Sequence, residues 1–362
     1  MRATTIVGVL VLAFSIEQSA SSVGTYPWHL PRGLPVPRVP ADNPISQLKI
    51  DLGRRLFYDT RLSGKGNYAC ATCHQQSFAF TDGLAHAVGS TGAEHTRSTM
   101  TLTNVAYNVT YGWADPGLRT LEAQMLVPMF NEHPIELGIK GHEVEIVARF
   151  SSDQAMAATF GSAFPDQPAP VSLQNIVKAI ASFERTLVSA DSPFDRYLYR
   201  DDKSAMSAAA LRGKDRFFSE ALGCSECHAS FNLSGPVTFE RATPVEPLFH
   251  NTGLYNVNGR GAYPRSDRGL IDRTHKASDM GRFRAPTLRN IAVTAPYMHD
   301  GSIETLGAAI DHYASGGVRS PVKSKRLKGF ALTPQQRKDL VAFLESLTDT
   351  SFLTNPAFGP MR

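Results

Sequence analysis

Apolar residues recur at helical spacing near the end of each half of the chain. They are Ile176, Ile180, Phe183 and Leu187 in the first half, and Leu340, Phe343, Leu344 and Leu347 in the second. The second helix has a strong start, because Thr333 can cap it, Pro334 suits its first position and Gln336 can complete a capping box. Strand patterns are sparse, and residues 234–270 are rich in glycine and proline. The pattern predicts a mostly α protein with little β structure.

The two halves also begin alike. Residues 52–57 and 211–218 are each predicted to form a short helix, and in both a glycine stands four residues before a phenylalanine, as Gly53 and Phe57 or Gly213 and Phe217. Each half therefore runs from a short helix through irregular loops to a closing helix. We place an N-terminal domain at 51–190 and a C-terminal domain at 191–362, since Pro193 follows the end of the first closing helix.

The first 50 residues have a different character. Residues 1–20 combine an early arginine, an apolar run from Ile6 to Ile16 and small residues at the end, which is typical of a secretory signal peptide. No later stretch reaches the roughly 18 apolar residues of a membrane span, so we expect an exported protein without one. Residues 21–50 contain six prolines and are predicted to form an extended arm. The remaining length suits two domains.

All four cysteines lie in two Cys-x-x-Cys-His units. They are Cys70, Cys73 and His74, and Cys224, Cys227 and His228. This unit is the attachment signature of c-type haem, in which two sulfurs form thioethers and the histidine binds the iron. A zinc site usually places its two pairs closer together, and a disulfide within one unit would be strained. We therefore predict two covalently bound haem c groups, and with the signal peptide they indicate a bacterial periplasm.

The formal net charge is +4, and the propionates of two haems would bring the holoprotein close to neutral. The chain has neither a basic footprint for nucleic acid nor a polybasic membrane patch. We therefore expect no nucleic-acid partner.

Further stretches, in order around the haem motifs, resemble the bacterial di-haem cytochrome c peroxidase and MauG family. They lie at residues 53–59, 61–63, 80–83, 101–107, 121–124, 183–187, 286–290 and 295–302. The resemblance implies two tandem cytochrome c-like domains that meet at an interface. It also implies that the haem at Cys70, Cys73 and His74 is high-spin and binds hydrogen peroxide, and that the other haem is six-coordinate.

The same resemblance implies residues for the peroxide pocket. Glu136 is the candidate acid/base that moves a proton between the peroxide oxygens, and Gln124 and Pro128 match positions that line the pocket. Residues 128–138 contain two more residues than the family pattern, so Glu132 stays open as an alternative and His133 could also face the pocket.

At the second haem, the resemblance implies Tyr313 as the other axial ligand, with Met298 as the rival. Peroxidases of the family use methionine, which raises the reduction potential, whereas the MauG branch uses tyrosine. Trp113 stands where the family places a tryptophan between the haems.

The family also holds a calcium ion between its haems, and Asn104, Thr294 and Pro296 occupy the matching positions. His86 and His95 follow the first haem motif and could cap its iron in a resting state.

The resemblance favours a periplasmic oxidoreductase of the MauG branch, in which peroxide forms a bis-ferryl state that oxidises a side chain of a partner protein. Within the branch, residues 131–138 most resemble the MbnH type, which acts on a tryptophan of the copper-binding protein MbnP. The alternative is a cytochrome c peroxidase fed by a small cytochrome c or a cupredoxin. A di-haem electron carrier without catalysis would need two six-coordinate irons.

Overall fold

The computed structural model describes residues 26–361, and the predicted signal peptide lies outside them. The helices are α1 (Gln47–Phe57), α2 (Cys70–Cys73), α3 (Leu121–Phe130), α4 (Glu143–Ser151), α5 (Gln154–Ala163), α6 (Leu173–Glu184), α7 (Pro193–Tyr199), α8 (Ala208–Phe217), α9 (Ile271–Thr274), α10 (Leu306–Ala314), α11 (Pro334–Glu345) and α12 (Thr350–Thr354). Strands β1 (Phe249–His250) and β2 (Phe283–Arg284) pair antiparallel. The prediction of a mostly α protein with little β structure is confirmed.

Both predicted closing helices are present, as α6 and α11. Helix α11 begins as its sequence indicates, because the Thr333 hydroxyl accepts a hydrogen bond from the Gln336 amide and the Gln336 side chain accepts one from the Thr333 amide. Within residues 26–361 we find no helix with the length and apolar character needed to cross a bilayer.

The repeated glycines lie where the helix before each haem motif crosses the closing helix of the same half. A Cβ atom on Gly53 would lie 1.9 Å from the carbonyl oxygen of Ala179 in α6, and one on Gly213 would lie 1.9 Å from that of Asp339 in α11. Only a residue without a side chain permits this approach. The glycine repeat therefore encodes the same helix pair twice, α1 with α6 and α8 with α11.

Each crossing is completed by a pair of aromatic rings. The ring centroid of Phe57 lies 5.3 Å from that of Phe183 at an interplanar angle of 63°. In the second half, the rings of Phe217 and Phe343 are 5.1 Å apart at 51°. Tilted and edge-on contacts of this kind add to the free energy of burial. The first pair belongs to one hydrophobic core and the second pair to another.

A buried asparagine holds the segment that follows each closing helix. Asn104 and Asn290 both have left-handed backbones, with φ of 54° and 59°, and both are fully buried. The Asn104 side-chain oxygen accepts from the amide of Ser189 at 2.7 Å, and that of Asn290 accepts from the amide of Asp349, also at 2.7 Å. The duplication therefore extends from the glycine crossings to the loops around the haem motifs.

The structure departs from the predicted domain boundaries at two places, near residue 50 and after residue 349. The arm ends at residue 46 rather than 50, because Ser46 caps α1 and the helix starts at Gln47. The last residues leave the C-terminal half and pack on the N-terminal core, where the Phe352 ring contacts Phe80 with centroids 5.6 Å apart. The Gln76 side chain also donates to the carbonyl of Phe352 at 2.9 Å. Residues 350–361 thus belong by packing to the first half.

Candidate active site

The first Cys-x-x-Cys-His unit lies on the short helix α2, which is too short to be independently stable and depends on its surroundings. The Thr72 hydroxyl accepts from the amide of Ala69 at 3.1 Å and so begins the turn. The Nδ1 atom of His74 is hydrogen-bonded to the carbonyl oxygen of Phe80 at 2.8 Å. Because a carbonyl can only accept, Nδ1 carries the proton and Nε2 is left as a free ligand atom.

The second unit has the same histidine arrangement. Cys224 begins a 3₁₀ turn, and Nδ1 of His228 is hydrogen-bonded to the carbonyl oxygen of Leu233 at 3.2 Å. Burial lowers the pKa of His74 and lowers that of His228 to about 4. Both imidazoles are therefore neutral at pH 7, which is the form that binds a metal.

A cavity of about 240 Å³, which we call the first cavity, opens beside α2. Cys70, Cys73 and His74 stand in its wall, and Gln124, Pro128 and Glu136 border the same space. Gln124 and Pro128 lie on α3, which Thr120 caps by accepting from the amide of Ala123. The structure thus brings the predicted pocket residues together around the first haem motif.

Glu136 and Glu132 lie in different surroundings. Burial raises the pKa of Glu136 to about 7, and its Oε1 atom lies 3.7 Å from Nε2 of the half-buried His95. Glu132 is exposed and pairs with Lys140 at 2.5 Å, which lowers its pKa, and His133 is exposed as well. The geometry therefore favours Glu136 over Glu132 as the group that exchanges protons in the first cavity.

A cavity of about 230 Å³, the second cavity, lies beside the second motif. Its wall includes Cys224, Cys227 and His228, and both candidate ligands, Tyr313 and Met298, border it. Tyr313 lies near the C-terminus of α10, and burial, followed by the nearby cysteines, raises the pKa of its hydroxyl. Both ligand assignments are therefore compatible with this geometry.

Trp113 stands between the two haem motifs. It borders the first cavity, the second cavity and a smaller one of about 70 Å³ between them, which we call the central cavity. Its indole nitrogen donates to the carbonyl oxygen of Ser98 at 3.0 Å, which fixes the ring. This is the placement expected of an aromatic group that bridges two redox centres.

The three residues predicted to bind calcium are not all at one cavity. Thr294 and Pro296 border the central cavity. The side chain of Asn104 is instead held by Ser189, donating to its carbonyl at 3.1 Å and accepting from its amide. Within residues 26–361 no group of three or more His, Cys, Asp or Glu side chains forms a metal cluster. Calcium binding stays a prediction.

The two histidines that follow the first haem motif lie in different surroundings. His86 is exposed and is not part of the first cavity's wall, whereas His95 borders that cavity.

The sequence did not point to three charged or titratable residues of the cavity walls. They are Glu184 in the first cavity, His250 in the second and Arg284 in all three. Glu184 and Arg284 lie within or beside stretches that carried the family resemblance, but their burial could not be read from the sequence.

The donor set fits haem c in both cavities. Each motif places two thiols and a neutral imidazole with a free Nε2 at the wall of a mainly apolar space, which is what thioether attachment and iron ligation require. All four cysteines are free of disulfide bonds. The side chains that differ between the cavities, Glu136 in one and Tyr313 in the other, make the two haem sites chemically inequivalent.

Comparison with known proteins agrees with this arrangement. The family model for di-haem cytochrome c peroxidase matches residues 47–203, and the model for cytochrome c matches residues 210–348. The methylamine utilization protein MauG of Methylorubrum extorquens is 34% identical over 88% of this chain and 82% of its own length. The cytochrome c551 peroxidase of Pseudomonas aeruginosa is 33% identical over 84% of this chain and 80% of its own length.

Solved structures extend the likeness to the fold. The crystal structure of a MauG-like protein associated with microbial copper homeostasis is 45% identical, with a TM-score of 0.90 over 92% of this chain and 99% of the other. The di-haem peroxidase BthA of Burkholderia thailandensis is 20% identical with a TM-score of 0.67, over 88% of this chain and 91% of its own, and shares the fold. The chain therefore belongs to the di-haem cytochrome c peroxidase/MauG family of peroxidase-type oxidoreductases, with two cytochrome c-like domains that each hold a haem c.

Proposed function

We propose that the protein is a periplasmic oxidoreductase that uses hydrogen peroxide to oxidise an amino-acid side chain of a partner protein. The observation that carries the proposal is the inequivalence of the two cavities. The first contains an acid/base group, Glu136, and the second contains Tyr313. When bound, the first haem supplies an iron for peroxide and the second supplies an electron relay. Reduction of one peroxide to two waters consumes two electrons and two protons. The partner side chain supplies both as it exchanges a C–H bond for a C–O bond to the oxygen of one water, so the sum is one peroxide consumed, one oxygen added and one water released.

In this proposal Glu136 moves the protons. As a carboxylate it accepts a proton from the inner peroxide oxygen, and as an acid it returns that proton to the outer oxygen, which leaves as water. A group with a pKa near 7 can do both at neutral pH, and burial places the pKa of Glu136 at about 7. The Nε2 atom of His95 lies 3.7 Å from this carboxyl, close enough for the two groups to interact.

Trp113 and Tyr313 have the other roles. We propose that Tyr313 would hold the iron of the second haem through its phenol oxygen, because an oxygen ligand favours higher oxidation states of iron. We assign Trp113 to electron transfer between the haems, since its ring borders both cavities. Gln124 and Pro128 shape the peroxide side of the first cavity.

The solved MauG-like structure supports the MauG branch for this chain, whereas the curated relatives include both MauG proteins and cytochrome c peroxidases, the latter at up to 36% identity. One relative with 34% identity is a MauG, and the solved structure at 45% identity is described as MauG-like and associated with copper homeostasis. We therefore propose a copper-binding periplasmic protein of the MbnP type as the partner and a tryptophan as the oxidised residue. The periplasmic location follows from the apolar N-terminal segment and the haem c motifs.

The test is oxidation of a purified copper-binding partner of this type. We expect the holoprotein and peroxide to add oxygen to a tryptophan-containing peptide of the partner, measured by mass spectrometry. The Glu136→Gln variant should leave the partner unmodified, and the Glu132→Gln variant should behave as wild type. An unmodified partner, together with rapid peroxide consumption when reduced cytochrome c is present, would contradict the proposal.

Rapid peroxide consumption with reduced cytochrome c would favour the alternative function. This alternative is a cytochrome c peroxidase that takes electrons from a small cytochrome c or a cupredoxin. Met298 borders the second cavity and could supply the methionine ligand of that class. The relatives include such peroxidases, with the Pseudomonas aeruginosa enzyme at 33% identity.

Calcium remains part of the proposal as a structural ion at the central cavity. Thr294 and Pro296 could present backbone carbonyl oxygens there, which suit this cation. Chelation should reduce activity and added calcium should restore it. Activity that is indifferent to chelation would remove calcium from the proposal.

A further inference from the structure

Arg284 is a buried positive charge at the junction of the two halves. It lies on β2 with 9% of its surface exposed, and it borders the first, second and central cavities. Trp113 borders the same three cavities. Arg284 therefore lies in a part of the wall that the first, second and central cavities share.

Its contacts within the protein are weak and uncharged. Its nitrogen atoms approach the Gly112 carbonyl at 3.3 Å, the Asn108 side-chain oxygen at 3.4 Å and the Met100 sulfur at 3.8 Å. Normal N–H···O hydrogen bonds are 2.7 to 3.2 Å long, so both contacts to oxygen are longer than a normal hydrogen bond. Burial lowers the pKa of Arg284 to about 10, so the group keeps its charge at neutral pH.

Comparable arginines in this protein all have a carboxylate partner. The fully buried Arg289 pairs with Asp195 at 2.8 Å, and the buried Arg185 pairs with Glu122 at 2.7 Å. The other arginines of the cavity walls are also paired. They are Arg97, with Asp267 at 2.6 Å, and Arg326, with Glu226 at 2.8 Å.

No carboxylate of residues 26–361 lies within ion-pair distance of Arg284. The two carboxyl groups of the first cavity, Glu136 and Glu184, are not counter-ions of Arg284. Burial raises the pKa of Glu136 to about 7 and that of Glu184 to about 8, and neither carboxyl lies within ion-pair distance of Arg284. A buried charge without a counter-ion is strongly disfavoured. Residues 26–361 therefore do not supply the anion that Arg284 requires.

We propose that Arg284 is a shared cofactor-binding residue whose guanidinium pairs with a propionate carboxylate of each haem. The guanidinium has five N–H donors in a planar fork, which suffices for two carboxylates. One positive charge then acts on both irons, and it stabilises their reduced forms. This role concerns how the cofactors are held and is independent of whether peroxide, a partner protein or cytochrome c is the substrate.

The test measures the reduction potentials of both haems by spectroelectrochemistry in three holoprotein variants. Arg284→Gln removes the charge and should lower both potentials. Arg284→Lys keeps the charge and should leave both closer to wild type. Arg282→Gln is the matched control, since Arg282 is 40% exposed and pairs with Asp279, and it should change neither.

Two results would overturn the proposal. One is an Arg284→Gln holoprotein with unchanged potentials, and the other is a shift confined to one haem. If Arg284→Gln does not mature, the haem content of Arg284→Lys decides. If Arg284→Lys holds both haems at near wild-type potentials, the proposal is supported. If Arg284→Lys loses haem as completely as Arg284→Gln does, the proposal is contradicted.

Discussion

At the scale of the residue, the carboxyl of Glu136 should control peroxide chemistry. Replacing it by glutamine keeps the shape and removes the proton acceptor, so we expect turnover to fall by about 10²–10⁴-fold. In wild type, turnover should rise with pH through about 7, because only the carboxylate form accepts the peroxide proton and burial has raised its pKa to that range. Steady-state rates of peroxide reduction from pH 5 to 9 measure both effects.

Glu132→Gln is the control for this prediction. Glu132 lies only four residues away, but it is exposed and paired with Lys140, so its loss should leave both the rate and the pH profile unchanged. A Glu136→Gln variant that retains the inflection near pH 7 would show that another group carries the proton.

The identity of the ligand at the second haem gives a separate prediction. If Tyr313 binds the iron, Tyr313→Phe should remove the low-spin spectrum of that haem, whereas Met298→Leu should leave it intact. Optical and electron paramagnetic resonance spectra of the diferric variants make this measurement. The opposite pattern, or a sulfur-to-iron charge-transfer band in wild type, would assign the ligand to Met298.

Residue roles were predictable from the sequence where a local motif carries them. The cysteines and histidines of the haem units needed only their spacing. Glu136 needed the fold, because the extra residues of its loop left Glu132 open until one side chain was found in the cavity and the other at the surface. Arg284 could not be predicted, since the absence of a charged partner is a property of three dimensions.

At the scale of the element, the crossing of α8 and α11 should depend on Gly213. An alanine Cβ there would lie 1.9 Å from the Asp339 carbonyl oxygen, so the helices must move apart. We expect Gly213→Ala to reduce the free energy of unfolding by about 1–3 kcal/mol. Chemical denaturation of the holoprotein measures the change.

Gly161→Ala is the matched control because Gly161 also lies inside a helix, α5, but has no atom near the position of an added Cβ. There the gain in helix propensity, up to about 1 kcal/mol, should leave the protein equally or more stable. Equal effects of the two substitutions would mean that the glycine crossing has no packing role.

Helix positions were predictable because apolar spacing and capping residues are local signals, as α11 and its Thr333 cap show. The glycine repeat at Gly53 and Gly213 was visible in the sequence, but its cause was not. The asparagine repeat at Asn104 and Asn290 has a signal too, in the Thr-Leu-x-Asn pattern at 101–104 and 287–290, although its hydrogen bonds join segments far apart in the chain.

At the scale of the whole molecule, the end of the chain supports the first haem site. Phe352 is 2% exposed and packs on Phe80, whose carbonyl holds the His74 ring. Phe352→Ala should cost about 3–5 kcal/mol and perturb the spectrum of the first haem more than that of the second. Phe78→Ala, at a 41% exposed ring in the same half, is the control and should do neither.

The internal duplication could not predict that residues 350–361 pack on the N-terminal half. The repeat predicts two sets of helices, but residues 350–361 have no counterpart in the first half that would indicate where they pack. They follow the helices of the C-terminal half, but they accept hydrogen bonds from Gln76 and Tyr58 of the N-terminal half at 2.9 and 2.7 Å. The two domains are therefore joined by more than their interface.

Addition of one equivalent of hydrogen peroxide to the diferric protein, followed by optical and near-infrared spectroscopy, tests the proposed chemistry most directly. We expect both haem spectra to change together, a new near-infrared band to develop, and the product to persist until a partner protein is added. Oxidation confined to one haem, rapid decay, and fast turnover with reduced cytochrome c would contradict side-chain oxidation and identify a peroxide-scavenging enzyme.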